Sequence, residues 1–481
     1  MSLALLTDLY QLTMACGYWK GGHAEEEAVF HLTYRRPPFG GAYAIAGGIA
    51  PALDYLTSLS FTEDDVAYLA TLTDATKGPL FPADFLAYLR NMTLSLTVDC
   101  VPEGALVFPH EPIVRVRGPI LQAQIVETAL LDIVNFQTLI ATKASRVVSA
   151  ARGAPVVEFG LRRSQGIDGG LAASRASYIG GCAGTSNVLA GKRFGIPVVG
   201  THAHAWVMFH QDELHAFRAY ADALPGNCTF LVDTYDTLDG VARAIEVGKE
   251  LRAKGYPLLG VRLDSGDLAY LSIEARRMLD AAGFSDTKVV ASNDLDEHVI
   301  GSLLEQGAKI DVYGVGTRLV TAYDQPALGG VYKLGATRQA DGTWREAIKL
   351  SEQPIKISNP GVLQVRRLRG PAGELVGDVI YDSEVGFSGP VLHDIEDPTR
   401  PALSPGFATA EDLLVTYLDR GRVAREPDPL PAARERAARD LAALSIRSRR
   451  FMNPQPYPVG LDHHVHTRKQ QLIAAAREQD V

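Results

Sequence analysis

Arg262, Asp264 and Asp267 stand in one run, Arg262-Leu-Asp264-Ser-Gly-Asp267, at the end of an apolar stretch that begins at Leu258. A guanidinium and two carboxylates within one turn can meet an anionic substrate with the cation while the carboxylates face a metal or a developing positive charge. The same residues could instead close a strand as an internal ion-pair cluster. Other apolar runs end in a comparable way. Pro155 to Phe159 delivers Glu158, Arg162 and Arg163; Ile196 to Gly200 delivers Thr201, His202 and His204; Thr229 to Val232 delivers Asp233 and Asp236; Lys288 to Ala291 delivers Ser292, Asn293 and Asp294.

Several of these ends suit a phosphorylated substrate. Gly314-Val-Gly316-Thr317, following a run from Asp311, can offer backbone N–H groups to phosphate oxygens, although such loops are as often only tight turns. Ser292 and Asn293, leading toward a helix, make a second anion cradle on the neighbouring strand. Phe159 beside Gly160 could stack on a planar ring or fill the core, while Tyr10, on a helix opened by Thr7-Asp8, reads as a packing aromatic at a half-buried helix position. Arg35 and Arg36 sit in a stiff Pro/Gly loop, solvated or in contact with an anion. His202 and His204 point to one side if strand geometry persists, which raises the rival reading of a binuclear metal hydrolase. That reading needs His or Lys on later strands, and those strands end in Asp233, Arg262, Asn293 and Gly316.

These residues need a scaffold that brings strand ends to one place. From about residue 154 the chain repeats strand, polar end, helix, with helices expected over Leu238–Lys254, Leu268–Ala282 and Leu295–Gln306, the last capped by Asp294. Six such units predict a parallel sheet in an irregular, incomplete (β/α) barrel, residues 136–330, with its site at the carboxyl ends of the strands. An open doubly wound sheet would place its site in the same position. Residues 1–135 read as an α+β layer, with a β meander over 94–118 and one long helix over 120–152. Residues 331–430 turn strand-rich again and are expected to return to the first layer, giving an α+β sandwich built from both ends of the chain; 431–481 reads as a helical extension. Within it His463, His464 and His466 fit a solvated helix better than a metal site.

The bulk composition narrows the partners. At 481 residues, the chain exceeds one ordinary core. With 47 Lys+Arg against 56 Asp+Glu, the formal net charge of -9 disfavours nucleic acid, whose binding needs a basic surface. Cys16, Cys100, Cys182 and Cys228 are scattered, with no CxxC pair, which fits a reducing cytoplasm. The N-terminus lacks a basic n-region and Asp8 comes too early for a signal peptide. The most apolar helical run, Leu130 to Ala141, carries Asp132, Asn135 and Gln137, so no membrane span is expected.

Together, Thr7-Asp-Leu-Tyr10-Gln-Leu-Thr-Met14, Glu158-Phe-Gly-Leu-Arg-Arg163, Ser174-Arg-Ala-Ser-Tyr-Ile-Gly-Gly181, Gly184-Thr-Ser-Asn-Val-Leu-Ala-Gly191, Gly200-Thr-His-Ala-His204 and Arg262-Leu-Asp-Ser-Gly-Asp267 resemble the nicotinate phosphoribosyltransferases over residues 5 to 335. The resemblance implies condensation of nicotinate with 5-phosphoribosyl 1-pyrophosphate to nicotinate mononucleotide and pyrophosphate, in NAD salvage, with Mg²⁺ carried by the substrate and ATP hydrolysis coupled through a phosphohistidine. It makes His204 the phosphorylated histidine and the catalytic group with Arg262 and Asp264. His202 stands where relatives usually have an apolar residue. Tyr10 and Phe159 become the aromatic pair around the pyridine ring, Tyr10 from the partner subunit of a homodimer. Thr201 and Arg262 hold the nicotinate carboxylate, Arg162 a phosphate or pyrophosphate, and Gly316, Thr317 and Lys333 the 5′-phosphate, with Ser292, Asn293 and Gly314 beside them. Asp264 or Asp233 would face the metal. Ser186 is neutral where the related nicotinamide enzymes carry an Asp, and so favours the acid over the amide. A nicotinamide-using enzyme and a noncatalytic pyridine-nucleotide sensor are the alternatives.

Overall fold

The computed structural model describes residues 3–479. The chain divides into two compact units, Met1–Leu139 with Ala327–Val481, and Ile140–Pro326.

The second unit is built on a six-stranded sheet in the order Gly184–Thr185, Val156–Glu158, Val312–Val315, Lys288–Ala291, Gly260–Leu263 and Thr229–Leu231, parallel throughout. Val157, Val261, Leu263, Val289, Ala291 and Val315 are all buried. Apolar runs of this kind belong to strands covered on both faces, and full burial of one such Val or Leu contributes about 1.5–3 kcal/mol. The strand ends are thereby held firmly. Among the described residues no ladder joins Gly184–Thr185 to Thr229–Leu231, so the barrel is incomplete.

Three local expectations are corrected. The run Ile196–Gly200 forms no strand: it meets the sheet through a single parallel bridge between Thr185 and Val198. Pro197 has no N–H to give to a ladder, and the sheet edge is taken by Gly184–Thr185. The carboxylate of Asp267 accepts the Tyr270 N–H and caps helix Leu268–Ala281 instead of lining a cavity with Arg262 and Asp264. Asp294, by contrast, is not the cap it was expected to be. Helix Glu297–Glu305 begins later, and Asp296 accepts the N–H groups of His298 and Val299, satisfying two of its orphan donors. Helix Thr237–Ala253 is capped in the same way by Asp236.

In the first unit a seven-stranded antiparallel sheet runs Trp344–Glu346, Gly330–Arg338, Glu27–Tyr34, Val114–Pro119, Thr97–Cys100, Val415–Asp419 and Arg422–Val423. Strands from both ends of the chain therefore interleave, with Phe30 opposite Leu334 and Val98 opposite Leu418. The expected single helix over 120–152 is two, Ile120–Ile125 and Glu127–Ala150. The segment after 430 contains the helices Leu430–Ala443 and His463–Gln479, and also a strand, Val459–Leu461, that pairs parallel with Leu375–Asp382. His466 is stacked on His393 with ring centroids 4.4 Å apart.

Candidate active site

A cavity of about 420 Å³ lies at the carboxyl ends of the parallel strands and is lined by Phe159, Arg162, Ser186, Thr201, Arg262, Asp264, Ser292, Asn293, Gly314, Gly316 and Thr317, with Leu161, Arg163, Gly200, His202, Ala203 and Asp294. The lining comes from the ends of Val156–Glu158, Gly184–Thr185, Gly260–Leu263, Lys288–Ala291 and Val312–Val315, which finish on the same side of the sheet because they are parallel, and from the loop 200–203.

Arg262 is the hub. Its Nε donates to Ser292 Oγ at 2.9 Å, Nη1 to Thr201 Oγ1 at 3.1 Å and Nη2 to Asp264 Oδ1 at 3.0 Å. A guanidinium with three directed donors is fixed in plane as well as in place. Its carbon also lies 5.7 Å from the centre of the Phe159 ring, within cation–π range. Ser292 Oγ makes a short hydrogen bond to the same Asp264 oxygen. Asp264 is positioned by its backbone, whose N–H donates to Asp233 Oδ2 at 3.0 Å, and Ser265 Oγ donates to that oxygen at 2.6 Å. Asp233 Oδ1 is buried without a partner.

Phe159 lies against Gly314, where an added Cβ would come within 2.5 Å of the ring. Gly160 has no room either, being pressed against Val320 and the Gly316 carbonyl. The fully buried Glu158 fixes the stretch: its carboxylate accepts from the Gly160 N–H, from Ser174 Oγ at 2.9 Å and from Thr185 Oγ1 at 2.6 Å, while the Glu158 carbonyl accepts the Ser186 N–H at 2.9 Å. One buried glutamate, through its carboxylate and its carbonyl, thus ties the stretch that carries Phe159 and the arginine loop to Thr185 and Ser186.

The two histidines do not share a side. His204 opens helix His204–Phe209, with Nδ1 3.1 Å from Thr234 Oγ1 and Nε2 4.0 Å from Asp264 Oδ2. His202 is buried, and its Nε2 accepts the Leu231 N–H at 3.2 Å. Strand geometry ends before residue 204, so the alternation that would have aligned the pair is lost.

At the phosphate-like end, Asn293 and Asp294 have φ of 90° and 34°, backbone states that cost non-glycine residues about 1–3 kcal/mol and collect at functional sites. The turn is anchored from behind: Glu297 pairs with Lys143 and Arg146, each at 2.7 Å, and Arg318 pairs with Asp296 at 3.0 Å. Gly316 precedes helix Thr317–Val320, whose first N–H groups have no intrahelical acceptor.

Family models cover most of the chain: the nicotinate phosphoribosyltransferase (NAPRTase) N-terminal domain matches residues 5–135, the nicotinate phosphoribosyltransferase (NAPRTase) family 155–356 and the nicotinate phosphoribosyltransferase C-terminal domain 364–469. The nicotinate phosphoribosyltransferase of Bacillus subtilis (strain 168) is 44% identical over 479 residues, 98% of this chain and 95% of that one. The chain belongs to the nicotinate phosphoribosyltransferase family. The crystal structure of human nicotinic acid phosphoribosyltransferase superposes with a TM-score of 0.84 at 32% identity, covering 97% of this chain and 99% of the human one. A nicotinate-nucleotide pyrophosphorylase from Pyrococcus furiosus, with a TM-score of 0.68 at 21% identity over 92% of this chain and 95% of that one, shares the fold.

Within this family frame, two expected site residues lie in the first unit. Tyr10, on helix Leu9–Lys20, is exposed, with its hydroxyl 3.5 Å from Glu127 Oε1. Lys333, on strand Gly330–Arg338, lines a small cleft with His31, Thr33, Arg35 and Lys356. Arg163, one of the polar residues read at that strand end, lines the cavity as well, whereas Leu161 and Thr234 were passed over in the sequence. Thr234 follows Asp233 at a strand end and could have been found by the same rule that found its neighbour. Among the described residues no helix is long and apolar enough to cross a membrane.

Proposed function

We infer that the chain transfers the phosphoribosyl group of 5-phosphoribosyl 1-pyrophosphate to nicotinate, releasing nicotinate mononucleotide and pyrophosphate in NAD salvage. The observation that carries this reading is Arg262, held by three hydrogen bonds against the Phe159 ring at the mouth of the sheet. A carboxylate on a pyridine ring stacked on Phe159 would meet the guanidinium and the Thr201 hydroxyl. The ring nitrogen then attacks C1 of the ribose as the bond from C1 to the pyrophosphate oxygen breaks, and the electron pair leaves with pyrophosphate. Arg162, Ser292, Asn293, Gly314, Gly316, Thr317 and Lys333 are the groups assigned to phosphate oxygens. Ser186, neutral and half-buried in the lining, tolerates the acid.

Among the described residues no three His, Cys, Asp or Glu side chains converge on a metal site of their own; magnesium would be carried to the mouth by the pyrophosphate, with Asp264 or, behind it, Asp233 offering a hard carboxylate oxygen to it or its water. When bound it would offset the charge of the leaving pyrophosphate. ATP coupling is assigned to His204. In the tautomer that donates from Nδ1 to Thr234, Nε2 keeps its lone pair for a phosphoryl group, and phosphorylation would add about 1.5 to 2 negative charges near Asp264 and Arg262. A homodimer is supported by Leu3, Leu6, Leu9, Tyr10 and Met14, all exposed along the N-terminal segment and its helix, an apolar stripe that calls for a cover. Cys16, Cys100, Cys182 and Cys228 are in no disulfide, which accords with a cytoplasmic setting.

Offering nicotinate and nicotinamide at equal concentration with the donor and Mg²⁺ tests the reading. Nicotinate mononucleotide is the expected main product, and preference for the amide contradicts it.

A further inference from the structure

The stretch between the two open edges of the parallel sheet is fastened at both ends. At one edge Thr185 donates to the Pro197 carbonyl at 3.0 Å and accepts the Val199 N–H at 2.9 Å. At the other, Thr229–Leu231 pairs on one side with Gly260–Leu263. The Leu231 N–H points to the unpaired side, where a closed barrel would supply a strand carbonyl. It donates instead to Nε2 of His202, at 3.2 Å.

Accepting at Nε2 requires a neutral ring with its proton on Nδ1. The surroundings keep the ring neutral: the imidazole lies among Phe217, Tyr220 and Phe230, with ring centroids 5.9, 5.1 and 6.2 Å away, the residue is 7% exposed, and Nδ1 is buried with no partner. Burial, with Arg262 and His204 nearby, lowers its pKa to about 4, so it remains an acceptor at neutral pH. On either side of this clasp stand groups of the site. Thr201 receives Arg262 Nη1, and His204 meets Thr234, three residues beyond Leu231.

We propose that His202 is a positioning residue that closes the gap in the barrel by clasping the Leu231 N–H, and that this clasp sets His204 against Thr234 and Asp264. An apolar side chain fills the same nest and leaves the edge N–H without a partner. The proposal rests on the reading of His204 as the phosphoryl acceptor.

Three variants separate the acceptor from the packing. In His202→Gln the amide oxygen falls near the place of Nε2; in His202→Asn it falls near Nδ1; His202→Leu keeps bulk alone. ATP stimulation of nicotinate mononucleotide formation should fall about tenfold in the Leu and Asn variants, the factor one lost hydrogen bond carries, and return to within about threefold of the parent in the Gln variant. Hydrogen exchange of the peptide holding Leu231, followed by mass spectrometry, should speed by about tenfold in Leu and Asn but not in Gln. Parent-like stimulation and exchange in the Leu and Asn variants, or a Gln variant no better than Asn, overturns the proposal; the Gln against Asn contrast decides if the Leu variant does not fold. Should His204→Ala keep its ATP stimulation, the phosphohistidine reading fails, while exchange at Leu231 still decides the clasp.

Discussion

Phe159 occupies the space that any side chain on residue 314 would need: a Cβ on Gly314 would sit 2.5 and 2.7 Å from two ring carbons. The glycine read from sequence as a phosphate loop residue is, in the fold, also the floor under the aromatic ring. Gly314→Ala should push Phe159 out of its plane and weaken nicotinate binding by about three- to tenfold, the range of an aromatic contact. KM for nicotinate is the measurement, and an unchanged KM contradicts the role given to the ring.

Ser186 is held to the Glu158 carbonyl at 2.9 Å through its N–H, so a substitution of its side chain leaves the backbone anchored. Ser186→Asp should place a carboxylate where the nicotinate carboxylate is read to lie and reduce kcat/KM for nicotinate by about tenfold to a hundredfold, relative to nicotinamide. Competition between the two pyridines gives the ratio directly. A ratio unmoved by the charge removes Ser186 from the selectivity argument.

His204→Ala should abolish ATP stimulation while leaving transfer in the absence of ATP measurable. Acid-labile label from ATP γ-phosphate should disappear with it. Label retained elsewhere on the chain would move the acceptor away from residue 204.

Acid should loosen the fold partly through His202. Its pKa is near 4 in the fold against an ordinary 6.5, so the unfolded chain takes a proton below about pH 6.5 that the folded chain refuses until about pH 4. The stability it contributes is complete above pH 6.5 and lost as pH falls across that window, up to about 3 kcal/mol for 2.5 pH units. His31, lowered to about 3 by burial and Arg115, acts in the same direction in the other unit. His202→Leu should therefore flatten, without abolishing, the fall of Tm between pH 6.5 and 4; an unchanged slope contradicts a buried neutral imidazole.

Much of the site was legible because its carriers are short apolar runs with polar ends, and parallel strands deliver such ends to one rim. Arg262, Asp264, Ser292 and Phe159 were found that way. What escaped depended on where strand geometry stops. His202 and His204 look alike in sequence, but the chain turns into a helix at 204, which sets the His204 ring against Thr234 and Asp264 while the His202 ring lies among Phe217, Tyr220 and Phe230 at the cavity wall. Pro197 spoiled a run that otherwise reads as a strand, and Gly184–Thr185, too short to show a period, took its edge. Asp267 and Asp294 were both read as polar ends of interest; three residues of local hydrogen bonding decide that the first is a cap and the second is not. Tyr10 and Lys333 came from resemblance alone, since nothing in their own surroundings in the sequence marks a ligand.

The most direct measurement is pyrophosphate release on mixing the protein with nicotinate, 5-phosphoribosyl 1-pyrophosphate and Mg²⁺, in the parent and in Arg262→Ala. The parent should release one pyrophosphate for each nicotinate mononucleotide formed, and Arg262→Ala, with Tm retained within a few degrees, should lose about a hundredfold or more in kcat/KM through removal of a fixed charge-assisted contact. A parent that releases no pyrophosphate, or an Arg262→Ala enzyme as active as the parent, contradicts the account.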